Sequence, residues 1–129
     1  MNEVATLSFD QPDILDRIGA LDEGELDGLE FGVIGFDAET LVRLYNSHES
    51  KLAGLSPHRV LGNPLFTVVA PCMNNFMVAQ RFEDTSASAA ALDATINYVL
   101  TLRMRPLKVQ LRLLAAPGMA LRYLLVQRQ

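Results

Sequence analysis

The chain has one cysteine, Cys72, at the end of the apolar run Leu65-Phe66-Thr67-Val68-Val69-Ala70-Pro71. A lone cysteine cannot close an intrachain disulfide or build a multi-cysteine zinc site. Two fates stay open for it. The commoner is an inert thiol in a core. The other is a modifiable thiolate, which needs a positive charge, a helix N-terminus or a metal beside it. A helix expected from Asn74 to about Asp84 would begin just after Cys72 and supply part of that need. The second group is Tyr45-Asn46-Ser47-His48-Glu49. Tyr45 and Glu49 share a face if this piece is helical. They are either a core tyrosine and a solvated acid, or two hydrogen-bond donors aimed into a pocket. Desolvation can keep a buried glutamic acid protonated near neutral pH, so the second role is chemically open. His48 and His58 show no paired metal-ligand spacing and offer no clear haem ligand. There is no Gly-rich phosphate loop, zinc-protease motif or nucleophile elbow.

The elements that must position these residues follow from periodicity. Up to about Gly28 the chain reads as helical and acidic. Asp10 is the expected N-cap of a helix carrying Ile14, Leu15 and Ile18, and a second short helix runs from Asp22 to near Gly28. Phe31 to Phe36 and Thr40 to Tyr45 read as two strands around Asp37-Ala38-Glu39. Ser56-Pro57 looks like an N-cap and first helical residue. Then Leu92, Ala94, Ile96, Tyr98, Leu100, Leu102 and Met104 alternate with mostly polar neighbours, the mark of a strand with one buried face. Arg105-Pro106 and Pro117-Gly118 are expected turns, bounding a strand through Leu107, Val109, Leu111 and Leu113 and a last one from Met119 to Gln127. Two strands, a helical crossover and a three-strand meander is the element order of a PAS domain. The expected fold class is therefore α+β: a central five-stranded antiparallel sheet flanked by helices, with an N-terminal helical cap over 1–28 and a PAS core over 29–129, one domain in all.

Composition excludes other classes. Half of the residues are hydrophobic and 20% charged, which suits a globular chain. The formal charge of −4 argues against a nucleic-acid partner. The acids gather before residue 50, and Arg103, Arg105, Lys108, Arg112, Arg122 and Arg128 gather late. No signal peptide or membrane-length apolar run is visible, so a cytoplasmic location without a membrane partner is expected.

At this point the residues resemble the photoactive yellow protein family. Asp27-Gly28-Leu29-Glu30-Phe31-Gly32 is similar to the opening of that family's sheet. Tyr45-Asn46 with Glu49 matches its chromophore-binding segment, and Val69-Ala70-Pro71-Cys72 the segment with its chromophore cysteine. Met104, Pro106, Lys108 and Val109 match later strands. The match runs from about Leu21 to Arg128, with one extra residue between Phe82 and Leu92.

The resemblance implies a blue-light photoreceptor, not an enzyme. It implies 4-hydroxycinnamic (p-coumaric) acid held through a thioester at Cys72, its phenolate accepting hydrogen bonds from Tyr45 and Glu49. Light would isomerise the chromophore; a neutral Glu49 would then give up its proton, and the cap would loosen. Ile34, Ala53, Leu55, Leu65, Val69, Ala70, Pro71, Tyr98, Leu100, Met104 and Val126 correspond to the pocket lining. Met104 matches a methionine tied to thermal return. Ala53 replaces a threonine that braces the tyrosine, and Leu55 an arginine at the pocket mouth; Leu65 and Leu100 replace phenylalanines. These departures imply altered colour and recovery with the pigment retained, and His48 implies an added pH dependence. A downstream signalling protein is the expected partner, with weak homodimerisation through the meander as another expectation. A PAS module for a different ligand, a thiol enzyme and a pure dimerisation module are the competing readings.

Overall fold

A computed structural model describes residues 7–103 and 105–128. Two short helices come first, α1 (Ile14–Ile18) and α2 (Glu23–Asp27). Strands β1 (Gly32–Phe36) and β2 (Val42–Tyr45) follow, then helices α3 (Ser47–Ala53) and α4 (Pro57–Val60). A π-helical turn (Leu65–Val69) and a 3-10 turn (Pro71–Met73) lead to α5 (Ala79–Ser88). The meander is β3 (Leu92–Arg103), β4 (Arg105–Ala115) and β5 (Arg122–Arg128). The five strands form one antiparallel sheet in the order β2-β1-β5-β4-β3. The expected α+β PAS architecture is therefore present.

Strand alternation divides the core in two. Ile34 and Phe36 on β1, Val109, Leu111 and Leu113 on β4, and Leu124 and Val126 on β5 face the helical crossover. Phe36 packs edge-on against Phe66 and Phe82, with ring centroids at 5.5 and 4.9 Å. Val33, Leu114, Tyr123 and Leu125 face the other way and pack with Leu7, Phe9, Ile14, Ile18 and Leu26 of the N-terminal segment. Every residue of β1 is thus buried. Such a two-sided strand reads as a continuous apolar run, as Phe31 to Phe36 does.

Local chemistry explains the boundaries, and several differ from expectation. Helix α2 starts and stops where the sequence indicates. Asp22 accepts from Glu25 N while Glu25 accepts from Asp22 N, a reciprocal capping box, and Gly28 closes the helix. Asp10 is not the cap of α1; Asp13 holds that position, and the preceding turn is closed by Gln11 N donating to Ser8 O. The helix expected from Asn74 begins only at Ala79. The Asn75 carboxamide oxygen accepts from Met77 N at 3.0 Å and Val78 N at 3.3 Å, and this side-chain turn competes with helical bonding. No helix N-terminus therefore follows directly on Cys72. Nor does Arg105-Pro106 form the turn: β4 already runs from Arg105. Proline is tolerated there because β4 first pairs with β5 at Val109, so no ladder donor is lost on that side.

Candidate functional site

Tyr45 is the last residue of β2, and Asn46 caps α3. Tyr45 and Glu49 are therefore not two residues of one helix; a strand-to-helix corner brings them together. Asn46 builds that corner. Its side-chain oxygen accepts from Val33 N at 2.9 Å and Glu49 N at 3.1 Å. Its amide group donates to Leu26 O at 2.9 Å and Phe31 O at 3.1 Å. One buried side chain thereby joins α2, β1 and α3 with all four of its hydrogen-bonding positions used. Sequence reading gave Asn46 no role, although an asparagine between a strand and a helical segment is a cap signal.

Glu49 is 2% exposed. It lies over Gly32, where an added Cβ would collide with Glu49 Oε1 and sit 3.1 Å from its Cβ and Cδ. Its partner is Arg128. Nη1 donates to Oε1 at 2.8 Å and Nη2 to Oε2 at 3.1 Å, a fork-on-fork contact. Arg128 shares the inward phase of Leu124 and Val126 at the end of β5. That inward phase is its signal in the sequence, where it otherwise stands among the late basic residues. Gly32→Ala is expected to destabilise the fold by about 2 kcal/mol, the usual scale of overpacking, and to push Glu49 off Arg128. Chemical denaturation of the variant checks the first effect, and a crystal structure retaining both Glu49–Arg128 contacts would contradict the second.

Tyr45 is buried beside this pair. Burial pushes its phenol well above the usual tyrosine range; the charge of Glu49 adds to this and Arg128 opposes it. It therefore stays protonated and able to donate. Ala53, buried on α3, has no hydroxyl to offer it. His48 adjoins the pair on α3, and its pKa is lowered, first by burial and then by Arg128, against the opposing pull of Glu49 and Glu30. A depressed histidine stabilises the fold fully above its unfolded value of 6.5 and loses that contribution as pH falls toward the folded value. His48→Gln should accordingly flatten the loss of stability between about pH 7 and about pH 5, where a protonated histidine costs the parent most. Urea midpoints with the same pH slope in both proteins would contradict this.

The cysteine end is built by the crossover. Ala70 N donates to Leu65 O at 2.7 Å and Val69 N to Pro64 O at 3.2 Å, the wide spacing of a π-helical turn. Such turns recur at functional sites. Leu65, Val69 and Ala70 point inward, while Pro71 is exposed and starts the next turn. Pro71 shapes the loop and does not line the core. Cys72 is partly exposed and packs against the crossover-side core. Its carbonyl oxygen accepts from the Tyr98 hydroxyl at 2.5 Å and from Asn75 Nδ2 at 3.3 Å, and Asn75 Nδ2 also donates to that hydroxyl at 2.6 Å. Asn75 is another residue that sequence reading missed.

Tyr45, Ile34, Leu65, Val69, Ala70, Leu100 and Val126 belong to one buried cluster, with Leu55, Cys72 and Tyr98 packed against it. Most of the sequence-predicted set thus lies in or against one cluster, while Glu49 sits with Arg128 at the corner, Pro71 faces out, Ala53 lies outside the cluster, and Met104 lies outside the described residues. Among the described residues no cluster of histidine, cysteine and acidic side chains could hold a metal ion.

No protein-family model matches the chain. Curated proteins do. The photoactive yellow protein of Rhodothalassium salexigens is 32% identical over 107 residues, covering 83% of this chain and 85% of that protein. The photoactive yellow protein of Halochromatium salexigens is 32% identical over 105 residues, covering 81% and 83%. Among solved structures, the photoactive yellow protein domain of the sensor histidine kinase Ppr from Rhodospirillum centenum superposes with a TM-score of 0.80 at 34% identity, covering 88% of this chain and 98% of that one. A PAS domain of an HTR-like protein from Haloarcula marismortui superposes with a TM-score of 0.60 at 14% identity over 92% of this chain and 100% of that one, a likeness of fold alone. The fold, the order of the segments and these relatives agree: the chain belongs to the photoactive yellow protein family.

Proposed function

We propose that the protein is a blue-light sensor, not an enzyme, that carries 4-hydroxycinnamic acid as a thioester on Cys72. The observation that supports this best is the single apolar cluster joining the only cysteine to a buried, protonated Tyr45 at the corner that also holds Glu49. The donor set suits a ligand with one acyl end and one phenolic end. Cys72 is partly exposed, and the other end offers a hydroxyl donor and a buried ion pair. When bound, the group would supply light absorption and a double bond that isomerises.

The rest belongs to the chain. Tyr98 and Asn75 hold the Cys72 carbonyl and so the backbone from which the sulfur extends. Ile34, Leu65, Val69, Ala70, Leu100 and Val126 exclude water, which strengthens every polar contact inside. Tyr45 donates a hydrogen bond to an anionic acceptor, and Glu49 holds or releases a proton at the same end. Asn46 links the Glu49 backbone to Leu26 O, so a change at Glu49 reaches α2 and the N-terminal segment directly. Signal output then passes by loosening that segment toward a downstream protein, in the cytoplasm. Among the described residues no helix is long and apolar enough to cross a membrane. Mixing the apoprotein with an activated ester of the acid and mapping the adduct by peptide mass checks the reading. One acyl group on the Cys72 peptide, labile to hydroxylamine, is the expected result; a free Cys72 in folded protein would point to a PAS module for another ligand.

A further inference from the structure

Arg128 and Glu49 form the most enclosed ion pair among the described residues, with side chains 11% and 3% exposed. Both carboxylate oxygens accept from the guanidinium. In its favoured syn form a carboxylic acid would direct its O–H against one of those N–H groups, so the bidentate contact suits an ionised Glu49. This conflicts with the neutral, proton-donating Glu49 that the family resemblance implies. Arg128 Nε is buried and has no partner, leaving one donor of the fork free for a second acceptor.

We propose that Arg128 holds this end of the core at a single negative charge, carried by Glu49 in the apoprotein and shared out between Glu49 and the chromophore phenol in the pigment. The inference rests on the chromophore reading for its second half only. A guanidinium does not give up its proton in a protein. One buried cation balances one anion; a carboxylate and a phenolate together would leave one charge unpaired in an apolar site, which is costly. One proton must therefore be retained between them. Among the described residues, the neighbouring groups do not replace Arg128 in this role. Tyr45, at the end of β2, is neutral; His48 on α3 is biased toward its neutral form; Lys51 on α3 is exposed; Glu30, ahead of β1, has the wrong sign. Leu55 supplies no charge at the position where relatives carry an arginine. Arg128 is thus a positioning residue, acting through the proton held at Glu49.

Infrared difference spectra of the apoprotein test the first half. Parent minus Glu49→Gln should show a carboxylate band near neutral pH. The same subtraction in an Arg128→Gln background should show a carboxylic-acid carbonyl band. An acid carbonyl in the apoprotein with Arg128 present would overturn the proposal. In the pigment, Arg128→Gln should raise the midpoint of phenol ionisation by about one pH unit or more, a tenfold change in the proton equilibrium. Arg128→Lys keeps the charge without the fork and should shift it less; this variant also serves if Arg128→Gln folds poorly. Arg43→Gln, at a surface ion pair with Asp37, is the control. A midpoint that moves no further in Arg128→Gln than in the control would overturn the proposal. If no pigment forms, the chromophore reading fails, and the apoprotein spectra alone decide the charge state of the pair.

Discussion

Asn46→Ala should remove about 4 kcal/mol of folding stability, among the largest losses expected of a single substitution in this chain. The value follows from what the substitution strands. Val33 N, Leu26 O and Phe31 O lose a side-chain partner at a corner with little access to water, and Glu49 N loses its cap. Four net hydrogen bonds at about 1 kcal/mol each give this value, and Leu26 O keeps a backbone partner in Leu29 N. Asn46→Asp is the informative companion. It keeps the acceptor for Val33 N and Glu49 N but faces Leu26 O and Phe31 O with an oxygen in place of a donor, and it adds a negative charge beside Glu49. Both variants should lower the urea midpoint, with the aspartate variant relatively worse at neutral than at acid pH. An alanine variant within about 1 kcal/mol of the parent would show that the corner is held chiefly by apolar packing.

Arg112 should control the N-terminal segment. Nε and Nη2 donate to the two oxygens of Asp93 at 2.8 Å each, across the β3–β4 pairing. Nη1 donates to Phe9 O at 2.9 Å and Gln11 O at 2.8 Å. Arg112 is 5% exposed, so Phe9 and Gln11 are tied to the sheet through a buried guanidinium. Arg112→Ala is expected to cost about 3 kcal/mol, most of it local to the segment packed by Phe9, Ile14 and Ile18. Lysine should rescue little, because one ammonium cannot span two carbonyls and a carboxylate in this planar arrangement. Limited proteolysis should cut the segment before Gly28 much faster in Arg112→Ala than in the parent, with the core after it still protected. Equal protection would remove Arg112 from the latch. In a light sensor that signals by loosening this segment, the same variant should resemble the lit state in the dark.

Much of the fold was legible because its signals are local. Period-two alternation marked the meander, Asp22 and Gly28 bounded α2, and Asp37-Ala38-Glu39 marked the β1–β2 connection. The aspartate there makes its own turn, accepting from Glu39 N and Leu41 N. What escaped depends on competition or on distance. The Asn75 side chain outcompetes helix formation before Ala79, and propensity does not report such a contest. The segment Leu65–Val69 is apolar enough for a strand, and its π-helical path is set by the core on which Leu65, Phe66 and Val69 must land. At the site, Cys72, Tyr45 and Glu49 stood out by type and spacing. Arg128 did not, because its partner lies 79 positions away and the two meet only once β5 pairs with β1. A buried counter-charge of this kind appears only after strand phase and sheet order are combined.

The most direct test of the central claim is a visible spectrum of the apoprotein mixed with activated 4-hydroxycinnamic acid, recorded in darkness, under blue light and in darkness again, beside Cys72→Ala. The photosensor account predicts a blue-absorbing band that bleaches in light, returns in the dark and is absent from the variant. A folded, acylated protein whose band does not respond to light, or a band that persists in Cys72→Ala, would contradict it.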